Sequence, residues 1–406
     1  RLIGAVKISG AKNAALPLMA ASILCEDKST LSNMPNLSDI KTMAKVLSAF
    51  GAEVEFINDT VTIDTKYLIN NVAPYELVKT MRASVLTLGP LIARFGKAKV
   101  SLPGGCAIGV RPINLHLTAL EKLGANIELE KGYVVAKTSG LKGANIYFDT
   151  VTVTGTENIM MAAVFAKGST LLQNSAREPE VKDLADALNK MGAKIYGAGT
   201  SEITIEGVDS LSALEHSIIP DRIETGTFMA AAGATNGDIN IIGAKIEHVS
   251  AIIDKLRQTG IVIEDSADGI RVKGPQVLNS IDLETEPFPG FPTDMQAQFM
   301  VLMSIATGKS VITETIFENR FMHVAELQRM GANIDIEDKK AIVYGVQNLT
   351  GAQVMATDLR ASASLVIAAL AANGQSIIDR IYHLDRGYEK IEDKISTLGG
   401  DIERIK

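Results

Sequence analysis

One short phrase recurs six times along this chain: a residue that is usually apolar, then Gly, a residue that is usually small, a variable position, and Val or Ile. It reads Phe50-Gly51-Ala52-Glu53-Val54 and Leu123-Gly124-Ala125-Asn126-Ile127, then Met191-Gly192-Ala193-Lys194-Ile195 and Thr259-Gly260-Ile261-Val262-Ile263. The last two copies are Met330-Gly331-Ala332-Asn333-Ile334 and Leu398-Gly399-Gly400-Asp401-Ile402. The glycines lie 73, 68, 68, 71 and 68 residues apart. A period of about seventy residues restricts the chain to a repeat architecture in which each copy is one supersecondary unit.

Each phrase closes an amphipathic segment and opens an alternating one. In Leu115–Leu123, apolar residues at 117, 120 and 123 follow helical spacing, and Ile127, Leu129 and Val134 suggest strands. Glycine at that junction fits a helix C′ position, where a left-handed backbone is common. Each copy also holds an earlier stretch that is apolar nearly all round: Ala14–Leu24, Ile159–Ala166, Gly226–Ala234, Phe299–Ala306 and Ala361–Ala372. A helix without a polar face belongs in a core. One copy therefore reads βαβαββ, and six copies predict two α/β domains of three repeats. The domains are placed at 12–219 and at 1–11 with 220–406, with a crossing near Ile218–Asp221 and another at a first strand Ala5–Ser9.

Charges gather where the helices are expected to start. Lys12-Asn13, Arg82, Thr156-Glu157, Arg222, Asp294, and Asp358 with Arg360 open the buried helices; Asp39, Arg111, Glu178 with Glu180, His248, Arg320 and Arg386 open the amphipathic ones. Among the carboxylates, Asp39, Glu157, Glu178 and Glu180 are expected to be mainly structural, as caps and dipole partners. Cations there oppose the dipole, so Lys12, Arg82, Arg111, Arg320, Arg360 and Arg386 point to a bound anion. The segment Leu102-Pro103-Gly104-Gly105-Cys106-Ala107-Ile108-Gly109-Val110-Arg111-Pro112 places a thiol on a glycine-rich loop near a cation, a setting that favours thiolate. Cys25, within an apolar run, reads as a small buried hydrophobe. The five histidines are isolated, so no metal site is expected. His116 and His323 are expected to pack between helices, with a pocket-rim position as the alternative.

Composition narrows the function further. With 40 Lys and Arg against 47 Asp and Glu, the net charge of −7 disfavours a nucleic-acid or anionic-membrane binder. No apolar run reaches membrane-spanning length, and two cysteines in 406 residues suit a reduced, cytoplasmic setting. The chain begins with Arg1-Leu2-Ile3-Gly4, without a Met or a signal-peptide pattern, so the natural chain is expected to begin earlier.

The motifs together resemble the enolpyruvyl transferase family, and within it the branch that uses UDP-N-acetylglucosamine. They are Ser9-Gly10-Ala11-Lys12-Asn13-Ala14, Gly104-Gly105-Cys106 with Arg111-Pro112, Glu178-Pro179-Glu180, Pro220-Asp221-Arg222-Ile223-Glu224-Thr225-Gly226, Phe291-Pro292-Thr293-Asp294-Met295-Gln296, Glu318-Asn319-Arg320, Thr357-Asp358-Leu359-Arg360 and Asp385-Arg386-Gly387-Tyr388. The resemblance spans the whole chain. It implies a two-domain inside-out α/β barrel with the active site between the domains. It also implies transfer of the enolpyruvyl group of phosphoenolpyruvate to the 3-hydroxyl of UDP-N-acetylglucosamine, with release of phosphate and no cofactor. On this likeness Cys106, Asp294 and Lys12 are catalytic, and Lys12, Arg111 and Arg386 hold phosphoenolpyruvate with Arg320 and Arg360 in support. Asn13, Arg82, Arg111, Pro112, Ile113, Asn114, Leu115, Gly155, Thr293, Ile316 and Asp358 are the remaining substrate contacts. Many relatives carry Asp where Asn114 stands and Lys near Val151. The partners implied are the two small substrates, with no nucleic acid, membrane or obligate protein. Two other readings stay open: the same chemistry on shikimate 3-phosphate, which the Gly104-Gly105-Cys106 loop disfavours, and a nonenzymatic repeat clamp.

Overall fold

A computed structural model describes residues 1–79, 81–102 and 113–405. These form two compact units, one from 10–102 with 113–219, the other from 1–9 with 220–405.

The repeat is visible as a sheet repeated with one topology. In the unit of 10–219, Val72–Ala73 pairs parallel with Lys97–Ser101, which pairs antiparallel with Tyr133–Lys137, and Asn126–Glu130 closes the sheet. Asn145–Tyr147, Ser169–Gln173, Glu202–Glu206 and Lys194–Tyr196 repeat the arrangement. The first copy borrows its leading strand: Glu215–Ser217 runs parallel to Ser29–Ser32, beside Thr60–Asp64 and Glu53–Ile57. The other unit borrows too, since the N-terminal strand Ile3–Lys7 runs parallel to Asp238–Ile242. That strand lies two residues earlier than the sequence pattern suggests. Leu283–Glu284, Lys309–Thr313, Lys340–Tyr344 and Asn333–Glu337 form the fifth sheet. The sixth is a two-stranded parallel pair, Gln353–Met355 with Ile377–Asp379; 401–405 adds no strand to it, so its closing hairpin is absent among the described residues.

The six phrase glycines all stop helices. Gly51, Gly124, Gly192, Gly260, Gly331 and Gly399 have φ between 83° and 108°. In every copy the next residue donates its N–H back to the carbonyl five residues earlier, from Ala52 to Leu47 through Gly400 to Ile395. This is the closure of a Schellman motif, and it satisfies a carbonyl that the helix end leaves open.

The apolar helices fill the interior. Gln296–Ser304 is buried at every residue, and Val153–Ala163 at every residue from Gly155 on. Strands alternate, as in Lys309–Thr313, where Ser310 and Ile312 face the helices. Each unit thus wraps its sheets around its own buried helices, because only the helices lack a polar face to give to water. Their N-terminal ends are where charged residues begin.

Candidate active site

In the unit of 220–405, the turn Thr293–Met295 feeds the buried helix Gln296–Ser304. A carboxylate at such a start ordinarily caps backbone N–H groups. Asp294 faces two guanidinium groups. Its Oδ1 accepts from Arg320 Nη2 at 2.8 Å, and its Oδ2 accepts from Arg360 Nε and Nη2, both at 3.0 Å. The two guanidinium side chains are 4% exposed while the Asp294 side chain is 27% exposed. Asp294 therefore acts as a counter-ion with an open side.

Each arginine is held from behind. Asp358 caps the helix Leu359–Ala371 by accepting from the N–H groups of Arg360 and Ala361 at 2.9 and 3.1 Å, which fixes Arg360 in the first turn. Arg360 Nη1 donates to the Tyr388 hydroxyl at 3.3 Å, and that hydroxyl meets Thr227 Oγ1 at 2.9 Å. Burial opposes the Arg360 charge, but Asp294 first and Tyr388 next outweigh it and raise its pKa. Burial also raises the Tyr388 pKa, keeping the phenol neutral. Arg320 lies over the Phe317 ring, 5.4 Å from its centroid. Two fixed guanidinium charges thus converge on the open carboxylate of Asp294. Arg386 ends the turn Ile381–Arg386, half-buried; after burial, its charge is the next cause that lowers the pKa of His383.

Thr293 and Ile316 meet at a residue that sequence reading passed over. Glu314, 2% exposed, accepts from Thr293 Oγ1 at 2.8 Å, Ile316 N–H at 2.9 Å and Thr285 Oγ1 at 3.0 Å. A signal was available. The same position after the second strand holds Asn33 in the first copy and Asn174 in the third, each donating to the carbonyl after the neighbouring first strand, Ile218 and Phe148. Glu314 breaks that pattern with a carboxylate.

In the unit of 10–219, Lys12 is the first residue of the helix Lys12–Ala21, with Asn13 next to it. Its Nζ lies 3.4 Å from Asp39 Oδ2, both side chains nearly buried. Asp39, in the first turn of the helix Ser38–Phe50, is thus the partner of Lys12. Arg82 opens the turn Arg82–Thr87. Ile113 precedes the helix Asn114–Lys122, which carries exposed Asn114 and half-buried Leu115. Gly155 donates to the Thr152 cap at 3.2 Å, and a Cβ at Gly155 would stand 2.3 Å from Thr152 Cγ2.

His116 and His323 are both buried, in line with the expectation that they pack inside, and neither forms a rim. Burial foremost lowers each pKa to about 4. Glu157 lies inside the helix Val153–Ala163 rather than at its end, and Glu178 stands at the cap position of Pro179–Lys190 without accepting a cap bond. Burial, then Glu180 and Glu178, raise the Glu157 pKa well above the usual range. Cys106, Arg111 and Pro112 lie outside the described residues. Cys25 is buried, its Sγ 3.5 Å from Ser29 Oγ. Among the described residues no His, Cys, Asp and Glu group could hold a metal, and no helix is long and apolar enough to cross a membrane.

Comparison with known proteins extends these observations. The sequence profile of the EPSP synthase (3-phosphoshikimate 1-carboxyvinyltransferase) family matches residues 1–395. A UDP-N-acetylglucosamine 1-carboxyvinyltransferase of Thermodesulfovibrio yellowstonii is 59% identical over 406 residues, covering 100% of this chain and 97% of the relative. The Myxococcus xanthus protein of the same name is 56% identical over 408 residues, covering 100% and 97%. Among solved structures, the enolpyruvyl transferase NikO of Streptomyces tendae superposes with a TM-score of 0.89 at 25% identity, covering 99% of this chain and 96% of that one. An EPSP synthase of Acinetobacter baumannii shares the fold at TM-score 0.76 and 19% identity, covering 98% and 96%.

Proposed function

The chain belongs to the EPSP synthase family of enolpyruvyl transferases, and on that premise we propose how its residues divide the reaction. It is an enzyme that transfers the enolpyruvyl group of phosphoenolpyruvate to the 3-hydroxyl of UDP-N-acetylglucosamine and releases phosphate, the first committed step of peptidoglycan synthesis. Full-length identity of 56–59% to relatives named for that activity supports this acceptor over shikimate 3-phosphate.

The observation that carries the assignment of roles is Asp294, a carboxylate open on one side and pinned by two buried guanidiniums. Asp294 accepts the proton of the sugar hydroxyl as its oxygen bonds to C2 of phosphoenolpyruvate. Cys106 delivers a proton to C3, or joins the enolpyruvyl unit as a transient adduct. Return of a C3 proton to Cys106 and cleavage of the bond between C2 and the phosphate oxygen then release phosphate and restore the double bond. Arg320, Arg360, Arg386, Lys12 and Arg111 stabilise the phosphate and carboxylate charges. Arg82, Ile113, Asn114, Leu115 and Gly155, with Thr293 and Ile316, hold the sugar nucleotide. The two buried guanidiniums beside Asp294 support the anion assignment; the Asp358 cap supports a framework role for that residue. A cytoplasmic place of action suits two phosphorylated substrates and the free Cys25 thiol. The deciding test is phosphate release from phosphoenolpyruvate with each acceptor supplied alone. Release that requires UDP-N-acetylglucosamine supports the reading; release only with shikimate 3-phosphate overturns it.

A further inference from the structure

Among the largely apolar core helices of the unit of 10–219 lies a hydrogen-bonded cluster around Asn158 and His116. Asn158 is fully buried and His116 is 3% exposed. Asn158 Oδ1 accepts from the Gly89 N–H at 2.7 Å, which fixes the orientation of the amide. Its Nδ2 therefore donates, to Val85 O at 3.1 Å and to His116 Nδ1 at 3.0 Å. Nδ1 is then an unprotonated acceptor, so the proton of this neutral ring sits on Nε2, 3.4 Å from Thr154 Oγ1. The fit is close: a Cβ on Gly89 would lie 2.5 Å from Asn158 Oδ1 and 2.2 Å from its carbonyl oxygen.

Such a cluster is costly to bury unless every group is satisfied, and when satisfied it specifies one arrangement of the elements it joins. Here it joins four, since Gly89 belongs to the helix Leu88–Phe95. Val85 belongs to the turn that Arg82 opens, His116 to the helix that begins at Asn114, and Asn158 and Thr154 to the helix that carries Gly155. Those are the residues assigned above to the sugar nucleotide in this unit. We propose that His116 and Asn158 are positioning residues for UDP-N-acetylglucosamine, acting through Arg82, Asn114, Leu115 and Gly155 and touching neither substrate. This rests on the function proposed above.

The test is His116→Phe, which keeps an aromatic ring and removes both ring hydrogen bonds, assayed by phosphate release with each substrate varied in turn. The expected result is a KM for UDP-N-acetylglucosamine raised tenfold or more, with the KM for phosphoenolpyruvate and kcat changed by less than about threefold. Thr154→Val deletes only the Nε2 contact, and a smaller rise in the same KM is expected. Circular dichroism establishes that each variant is folded. A folded His116→Phe with an unchanged UDP-N-acetylglucosamine KM, or with kcat alone reduced, overturns the proposal. If His116→Phe does not fold, an unchanged UDP-N-acetylglucosamine KM in Thr154→Val overturns it. Failure of the wild-type chain to use UDP-N-acetylglucosamine at all would instead refute the function, which keeps the two failures distinct.

Discussion

Replacing Asp294 by Asn separates two roles that the structure allows it. The carboxylate receives three guanidinium contacts at 2.8–3.0 Å, one from Arg320 and two from Arg360. Asparagine keeps one oxygen, so one arginine retains an acceptor while the other faces an NH₂ group. Losing one charged hydrogen bond costs about 1.5–3 kcal/mol. Water at the open side of the residue, 27% exposed, moderates that cost. The total stays below the roughly 5–15 kcal/mol that holds a typical protein folded, so the variant folds with a lowered midpoint. Removing a general base slows the step by about 10²–10⁴, or about 3–5 kcal/mol in the barrier. Both quantities are measurable on one sample: urea denaturation gives the stability, and phosphate release at saturating substrates gives kcat. Turnover near the wild-type rate in a folded Asp294→Asn variant would refute the base assignment and leave Asp294 as a charge partner for Arg320 and Arg360. A stability loss with no turnover loss would point the same way.

Three further outcomes follow from other sites. His116 and His323 have folded-state pKa values lowered to about 4 from an ordinary value near 6.5, so the unfolded chain binds their protons first on acidification. Their neutral burial stabilises the fold fully above about pH 6.5, and that contribution is lost as pH falls toward 4, by about 3 kcal/mol for each. His323→Gln should therefore lessen the stability lost between pH 7 and pH 4.5 in urea titrations; an unchanged loss would contradict the assignment. Gly10→Ala would put a Cβ 1.9 Å from the Asn33 carbonyl oxygen, so a destabilisation of about 1–3 kcal/mol is expected, against about 1–2 kcal/mol for Gly192→Ala, where only a φ of 108° resists the side chain. Equal melting of Gly10→Ala and wild type would refute the close approach. A small phosphonate epoxide, fosfomycin, should alkylate Cys106 and spare the buried Cys25, faster with UDP-N-acetylglucosamine present, and Cys106→Asp should resist alkylation while remaining active. Peptide mass mapping reads this directly, and an adduct on Cys25 would sink it.

What the sequence determines here is local and periodic. Six glycines at nearly constant spacing predict six left-handed helix stops, and all six have positive φ and the same closing hydrogen bond. Stretches without a polar face predict buried helices, because such a stretch has only one favourable solvent, the core. The residue types at the starts of those helices were legible for the same reason, and they named Asp294, Arg320 and Arg360 individually. Asp358, expected as a substrate contact, caps a helix, and Asp39 pairs with Lys12, since a cap, a counter-ion and a ligand contact read alike until the partner is known.

Tertiary structure decided the partners. Arg320 and Arg360 reach Asp294 from 26 and 66 residues away. Strands Ile3–Lys7 and Glu215–Ser217 complete the sheets of copies to which they are not adjacent in the chain. Glu314 and the Asn158–His116 cluster likewise arise from elements brought together by sheet register and helix packing. Periodicity specifies which face of an element is buried, because the side-chain period is fixed by backbone geometry. It carries no information on which distant charge fills the remaining space, and that is settled only when packing and hydrogen-bond satisfaction are met together.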